Sequence, residues 1–291
     1  MLDRFEYHRP DNLEKALRGL QQDGSRAKVL AGGTDLLVRM KEATARPEIV
    51  LDISGLAELR GIQRRDEWIW IGPLATHREV SESDLIRSHG RALAQGSARV
   101  GSPQIRHRAT IGGNMVNASP AADSVPPLFV LQAEVELSSI KSSRWLPVDA
   151  FFTGPGQTVL RPDELVTGLR FPVSPGDDRS VSRYEKFGTR NALSVAVASA
   201  AAAAVMEPDG KLTRVRIALG SVSPVVLRAR EAEQLLTGQV PGEELITRAA
   251  RAAAKQCCPI DDVRGSAWYR RRLVEALLAR ILRAWVIGSR S

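Results

Sequence analysis

Apolar positions recur along the chain first with a helical and then with a strand-like period. In "DNLEKALRGLQQDG", Leu13, Ala16, Leu17 and Leu20 share one helical face. Asp11 is placed to cap this helix, Glu14 completes a capping box, and Gly24 ends it. A strand around Val29 and Leu30, a helical stretch with Leu36, Leu37 and Met40, and a strand "EIVLDI" at 48–53 follow as a strand, helix, strand unit. "WIWIG" at 68–72 alternates as a strand does; Thr76 can cap a helix opening "HREV", and Asp84 can start another through Leu85, Ile86 and Leu93. A helix near 123–131 and strands "AEVELSS" and "ELVTGLRFP" come next, then a polar linker "VSPGDDRS" at 173–180 that marks a domain boundary.

Beyond the linker, propensity and context disagree. The alanine run in "SVAVASAAAAAVM" favours helix by propensity alone. "EPDG" is a turn signature, however, and "KLTRVRIALGSV" alternates as a strand, so a long hairpin accounts for both halves together. The rest is expected to be helical near 227–237, 242–256 and 266–287. In the last segment Tyr269, Leu273, Leu277, Ile281 and Trp285 form a row flanked by Leu278 and Leu282, with the arginines on other faces.

A chain of 291 residues has room for more than one domain, and 43% hydrophobic with 25% charged residues is the balance of a globular protein. The net charge of +8 raises the question of nucleic acid, but the arginines are spread out and no binding motif accompanies them. The two cysteines, Cys257 and Cys258, are neighbours, too few for an iron–sulfur cluster and unable to staple distant segments. With no secretion signal and no membrane-length apolar run, the chain is expected to be cytoplasmic. His77 and His107 have no carboxylate paired with them in sequence and are read as structural.

Two glycine pairs carry the candidate chemistry, one in "KVLAGGTDLLVRMK" at 28–41 and one in "ATIGGNMVNASPAADSVPPL" at 109–128. Glycine admits positive φ and lets a ligand touch the backbone, and successive exposed N–H groups form a concave anion site. A single pair serves any tight turn; two pairs at strand-like edges suggest a pyrophosphate held from both sides. No G-x-G-x-x-G follows a strand, "GPGQTV" at 154–159 lacks the third glycine, and there is no Walker-type loop.

These two segments, in this order and spacing, resemble the paired FAD-binding signature of the flavoprotein subunit of molybdenum hydroxylases, the family of carbon monoxide, xanthine, aldehyde and N-heteroaromatic dehydrogenase medium chains. "FEYHRPDNLEKAL", "LVTGLRFP", "YEKFGTR" and "YRRRLVEALLARIL" extend the likeness over essentially the whole chain. The resemblance implies an α+β chain. A two-subdomain FAD-binding fold of the PCMH/vanillyl-alcohol oxidase type would occupy 1–55 and 56–175. A C-terminal domain at 176–291 would hold a three-stranded antiparallel sheet and a helical bundle.

By the same resemblance one side of FAD would be held by Val29, Leu30, Ala31, Gly32, Gly33, Thr34, Asp35, Leu36 and Leu37, and the other by Thr110, Ile111, Gly112, Gly113 and Asn114. Asp123 matches an acidic FAD contact and Lys186 a lysine near the flavin, while Val100 and Val166 match apolar positions lining the cofactor. Plainer roles stay open beside these: Asp35 and Asp123 as helix caps, Lys186 as a surface lysine, Val100 and Val166 as core. No catalytic or metal-binding residue is implied. The implied partners are a [2Fe-2S] small subunit and a molybdopterin large subunit in a dimer of heterotrimers, with NAD or a quinone as external acceptor, no nucleic acid and no transmembrane segment. A stand-alone flavin-dependent oxidoreductase and a basic nucleic-acid-binding scaffold are the alternatives.

Overall fold

The computed structural model describes residues 3–174, 179–190 and 193–288, so 175–178 of the expected linker lie outside the described residues. Three short strands, β1 (Glu6–His8), β2 (Ala27–Leu30) and β3 (Ile49–Asp52), form a parallel sheet in the order β1-β3-β2. Parallel neighbours need crossovers, and α1 (Leu13–Asp23) and α2 (Leu36–Lys41) supply them. The cap of α1 is Asn12, whose side chain accepts the Lys15 N–H at 2.9 Å. The expected capping box therefore does not form: Asp11 pairs with the Lys15 ammonium and Glu14 with Arg18. Gly24 ends α1 at φ +51°. Strand β1 has no sequence signature because all three of its residues are exposed.

The second sheet is antiparallel, in the order β4-β5-β10-β6-β7, built from β4 (Ile62–Arg65), β5 (Trp68–Ile71), β6 (Glu134–Ser138), β7 (Ser143–Pro147) and β10 (Leu165–Pro172). A two-stranded ribbon, β8 (Phe152–Gly154) with β9 (Gln157–Thr158), stands beside it. Between β5 and β6 run six short helices: α3 (His77–Glu82), α4 (Asp84–His89), α5 (Arg91–Ala98), α6 (Pro103–Arg106), α7 (Ile111–Asn117) and α8 (Val125–Val130). Ile69, Ile71, Val135, Leu137, Leu169 and Phe171 are buried in the core these helices share. On the opposite face the Arg170 guanidinium lies between the indoles of Trp68 and Trp145, 4.2 and 4.1 Å from their centroids. Thr76 caps α3 in a full capping box with Glu79. The helix expected from Asp84 to Leu93 is instead two helices, broken at Gly90, where a Cβ would sit 2.9 Å from the Phe171 ring; Ser83 caps the first.

The third sheet, β11 (Ser180–Gly188), β12 (Ala196–Met206), β13 (Leu212–Gly220) and β14 (Leu227–Arg228), is antiparallel in chain order. Its three long strands are the expected ones, the hairpin closes at the predicted turn with Gly210 at φ +81°, and a two-residue fourth strand takes the start of the helix expected at 227. β12 is buried from Ala196 to Ala204. Ala201 and Ala203 belong to the core beneath α5 and α8, while Ala198, Ala200, Ala202 and Ala204 belong to the one made with α9 (Arg230–Leu236), α10 (Glu243–Lys255) and α11 (Ala267–Gly288). A strand sandwiched between two helical layers has room for little more than methyl groups. Tertiary burial thus overrides the helix propensity of alanine.

The predicted apolar row of α11 is buried from Leu273 onward, while Tyr269 is partly exposed. Not all of its arginines face solvent, however. Arg270 is 3% exposed, and its guanidinium donates to the carbonyls of Val197 and Ser221 at 2.8 Å each and to Asp262 at 2.6 Å. Arg272 and Arg283 are paired with Glu275 and Glu243. No helix among the described residues is long and apolar enough to cross a membrane.

His77, at the start of α3, is fully buried with Nδ1 3.4 Å from the Ser97 hydroxyl and Nε2 without a partner among the described residues. Burial, helped by the Arg106 charge, pushes its pKa down to about 4.

Two stability predictions follow from these buried groups. Arg270→Ala strands two carbonyls and a carboxylate and is expected to cost about 3 kcal/mol in denaturant unfolding; a loss under about 1 kcal/mol contradicts the clamp. His77 binds its proton more weakly in the folded chain than in the unfolded one, so its contribution is complete above pH ~6.5 and is lost as the pH falls towards 4, by about 3 kcal/mol in all. His77→Gln should flatten the stability profile over that interval, and an unchanged slope excludes His77 as its source.

Candidate cofactor site

The first glycine pair leaves the carboxyl end of β2, where open sheets with parallel strands place their ligands. Val29, Leu30 and Ala31 are half-buried, and the Leu30 carbonyl accepts from Ile53. Gly33 has φ +76°, in the region that favours glycine. At Gly32 a Cβ would lie 2.0 Å from the Arg108 carbonyl oxygen, so the loop's backbone is pressed against the backbone just before the second pair. Among the described residues no acceptor takes the N–H groups of Gly32, Gly33, Thr34, Asp35 or Leu36. Asp35 sits at the cap position of α2 without capping it; its carboxylate instead accepts from the Asn117 side chain at 3.1 Å. Leu37 is exposed at the start of α2.

The second pair is not a bend but the first turn of α7. Thr110 is its cap and accepts the Gly113 N–H at 3.1 Å. The Ile111 and Gly112 N–H groups donate to the carbonyls of Ala75 and Pro73, both at 2.9 Å. Gly112 is required by contact, since a Cβ there would be 2.5 Å from Pro73. The bare amides expected on this side are therefore already used. What remains are the Thr110 hydroxyl proton, the Asn114 amide nitrogen and the exposed surface of Gly113. Asn114 accepts from the Ser124 hydroxyl at 2.7 Å, and Asp123 is the residue that precedes Ser124 in the chain.

Asp123 is buried and does not cap α8. One oxygen accepts the Tyr184 hydroxyl and the other the Lys186 ammonium, each at 2.6 Å. Lys186 also donates to the Arg99 carbonyl at 3.1 Å, and its side chain is 8% exposed, so it is no ordinary surface lysine. Burial pushes the Asp123 carboxyl up, opposed by the Lys186 charge and the hydrogen bonds it accepts; burial likewise holds the Tyr184 phenol well above its usual value.

Val100 follows Arg99, is half-buried, and accepts the Arg106 guanidinium on its carbonyl. Val166 is 5% exposed in the middle core, on the strand against which α7 packs. The chain thus brings together the 32–35 loop, 108–117, Asp123 and Lys186, with Val166 behind them. The His107 ring meets the Arg78 guanidinium, at 2.8 Å. An open hollow of ≈ 480 Å³ lined by Arg230, Glu233 and Thr237 lies in the third-sheet region and includes none of these residues.

Asn117, Ser124 and Tyr184 are the members that pattern reasoning passes over. Only Tyr184 had a usable signal: on a strand it shares the face of Lys186, two positions on.

Residues 3–174 match the model for the "FAD binding domain in molybdopterin dehydrogenase" and 183–285 that for the "CO dehydrogenase flavoprotein C-terminal domain". The chain is 33% identical over 283 residues to the carbon monoxide dehydrogenase medium chain of Hydrogenophaga pseudoflava, covering 97% of this chain and 96% of that one. It is 30% identical over 283 residues to the xanthine dehydrogenase FAD-binding subunit of Escherichia coli O157:H7, with the same coverage of 97% and 96%. It superimposes with a TM-score of 0.94 on a chain of the H. pseudoflava carbon monoxide dehydrogenase that lacks the Mo-pyranopterin moiety, at 33% identity and 99% coverage of both chains. The chain belongs to the family of FAD-binding medium subunits of molybdenum hydroxylases, as an oxidoreductase subunit with an FAD-binding domain followed by a flavoprotein C-terminal domain.

Proposed function

We propose that this subunit holds FAD between the 32–36 loop and α7 and serves as the electron outlet of a molybdenum hydroxylase. The observation that carries the site is the run of five successive N–H groups at 32–36 with no acceptor among the described residues, facing the segment that bears the Thr110 hydroxyl and the Asn114 amide. Donors left without a protein acceptor in a half-buried loop are open to water or to a ligand, and a pyrophosphate can accept from several of them along its length. The nine residues from Val29 to Leu37, with Thr110 to Asn114, form the grip; Val100 and Val166 line it, and Asp123 and Lys186 close its far end. We place the subdomain limits at 1–55, 56–175 and 176–291, a reading supported by the three-stranded sheet lying within 6–52, the five-stranded sheet within 62–172 and the four-stranded sheet within 180–228.

When bound, FAD supplies the redox chemistry, taking electrons from the [2Fe-2S] clusters of a small partner fed by a molybdopterin large subunit and passing them to NAD or a quinone. The protein's own groups bind and orient. No residue is assigned as a general acid or base: His77 is buried away from solvent and the His107 ring is hydrogen-bonded to the Arg78 guanidinium. A cytoplasmic location fits the two free cysteines, and the assembly, by the family resemblance, is a dimer of heterotrimers.

Gly33→Trp and Gly113→Trp should each weaken FAD binding at least tenfold, about 1.4 kcal/mol, read by flavin absorbance of the purified chain with thermal melting as the folding control. Full retention in both variants rules out the grip. Affinity purification of the tagged chain from its native source should return a cysteine-rich small chain and a large one; recovery alone, with turnover of an organic substrate, favours the stand-alone oxidoreductase.

A further inference from the structure

The Tyr184 hydroxyl belongs to the site's network but has no part in the grip. The ring needs no hydroxyl to pack: Tyr184 is 1% exposed in the middle core, its backbone N–H donates to the Gln95 side chain at 2.8 Å, and a phenylalanine would fill the same volume. A buried hydroxyl is unfavourable unless it is bonded, and this one donates to Asp123 at 2.6 Å. The opposite oxygen of the same carboxylate holds Lys186, also at 2.6 Å. Asp123 is therefore fixed from both sides, and its charge is shared between a phenol and an ammonium.

The Lys186 ammonium spends one proton on Asp123 and one on the Arg99 carbonyl. It has three to give, so one is unspent among the described residues.

We propose, resting on the FAD site above, that Tyr184 is a positioning residue: by withdrawing charge from Asp123 and holding it in place, its hydroxyl sets how much of the Lys186 positive charge is left to act on the flavin, and so sets the flavin's reduction potential. A hydrogen bond to an ionised group is stronger than a neutral one, and low surrounding polarity strengthens it further. Without the donor, the carboxylate is more negative and neutralises Lys186 more completely. Adding electrons to the flavin then becomes less favourable. Removing the carboxylate's charge does the reverse, leaving Lys186 unopposed. The two changes differ in sign, whereas simple loosening of a buried network gives no reason for opposite shifts.

The test uses the full chain loaded with FAD, its potential measured by equilibration with redox dyes. Tyr184→Phe should lower the reduction equilibrium constant threefold to tenfold, a downward shift of about 15 to 30 mV for a two-electron couple. Asp123→Asn should shift it upward. In the Asp123→Asn background, Tyr184→Phe should add less than a third of its effect alone, because it acts through that carboxylate. Should Tyr184→Phe fold poorly, Tyr184→3-fluorotyrosine keeps the bond with a more acidic donor and should raise the potential. A flavin-loaded wild type whose potential is unmoved by Tyr184→Phe or by the fluorotyrosine overturns the positioning role alone, as do additive shifts in the double variant. A wild-type chain that takes up no FAD overturns the cofactor site and this role with it.

Discussion

The close approach of the Gly32 backbone to the Arg108 carbonyl is the constraint on which the site depends. Two segments nearly eighty positions apart in sequence meet there with no side chain between them, at a distance that even one β-carbon would prevent. The Asp35 to Asn117 hydrogen bond fixes their lateral register, and the capped start of α7 fixes their angle. From that seam Asn114 is bonded to Ser124, and the preceding residue, Asp123, reaches into the third sheet at Lys186. The parallel sheet, the helical layer and the antiparallel C-terminal sheet are thereby joined by hydrogen bonds as well as by apolar packing. A buried ion pair such as Asp123 with Lys186 adds little net stability over an apolar pair of the same shape. Its value lies in specifying one arrangement.

The two sides of the seam do different work. On the 32–36 side the backbone is left with donors unspent, and on the α7 side nearly every donor is spent within the chain. Gly33 answers to a backbone angle, whereas Gly32 and Gly112 answer to crowding against neighbouring backbone and proline. Three glycines of one motif thus have two physical reasons for being glycine.

Much of this was legible in the sequence. Apolar periodicity located most of the long elements, and the turn signature at 207–210 decided the hairpin against the helix propensity of alanine. Misplacements were local. Asn12 outcompeted Asp11 as a cap, Gly90 split a helix to clear Phe171, and Arg270 turned inward where the carbonyls of Val197, Ser221 and Gly265 and the Asp262 carboxylate converge on it. The first is settled by contacts with Lys15 within one turn, and the other two depend on neighbours distant in sequence. The same holds within the site, where the glycine pairs and flanking residues were visible but the spent amides of α7 and the tyrosine behind Asp123 were not. Those partners, Pro73, Ala75 and Tyr184, are brought into place only by the packed sheets.

The alanine strand at the centre of the third sheet has a further consequence. Alanine has no side-chain torsion to freeze on folding and none to adjust afterwards, so β12 acts as a rigid spacer of fixed thickness between two helical layers. Neighbouring β11 inherits that fixed gauge from Val181 to Glu185, which lie opposite Ala204 to Ala200, so methyl groups set the depth of the strand from which Lys186, opposite Ser199, reaches Asp123 and the Arg99 carbonyl.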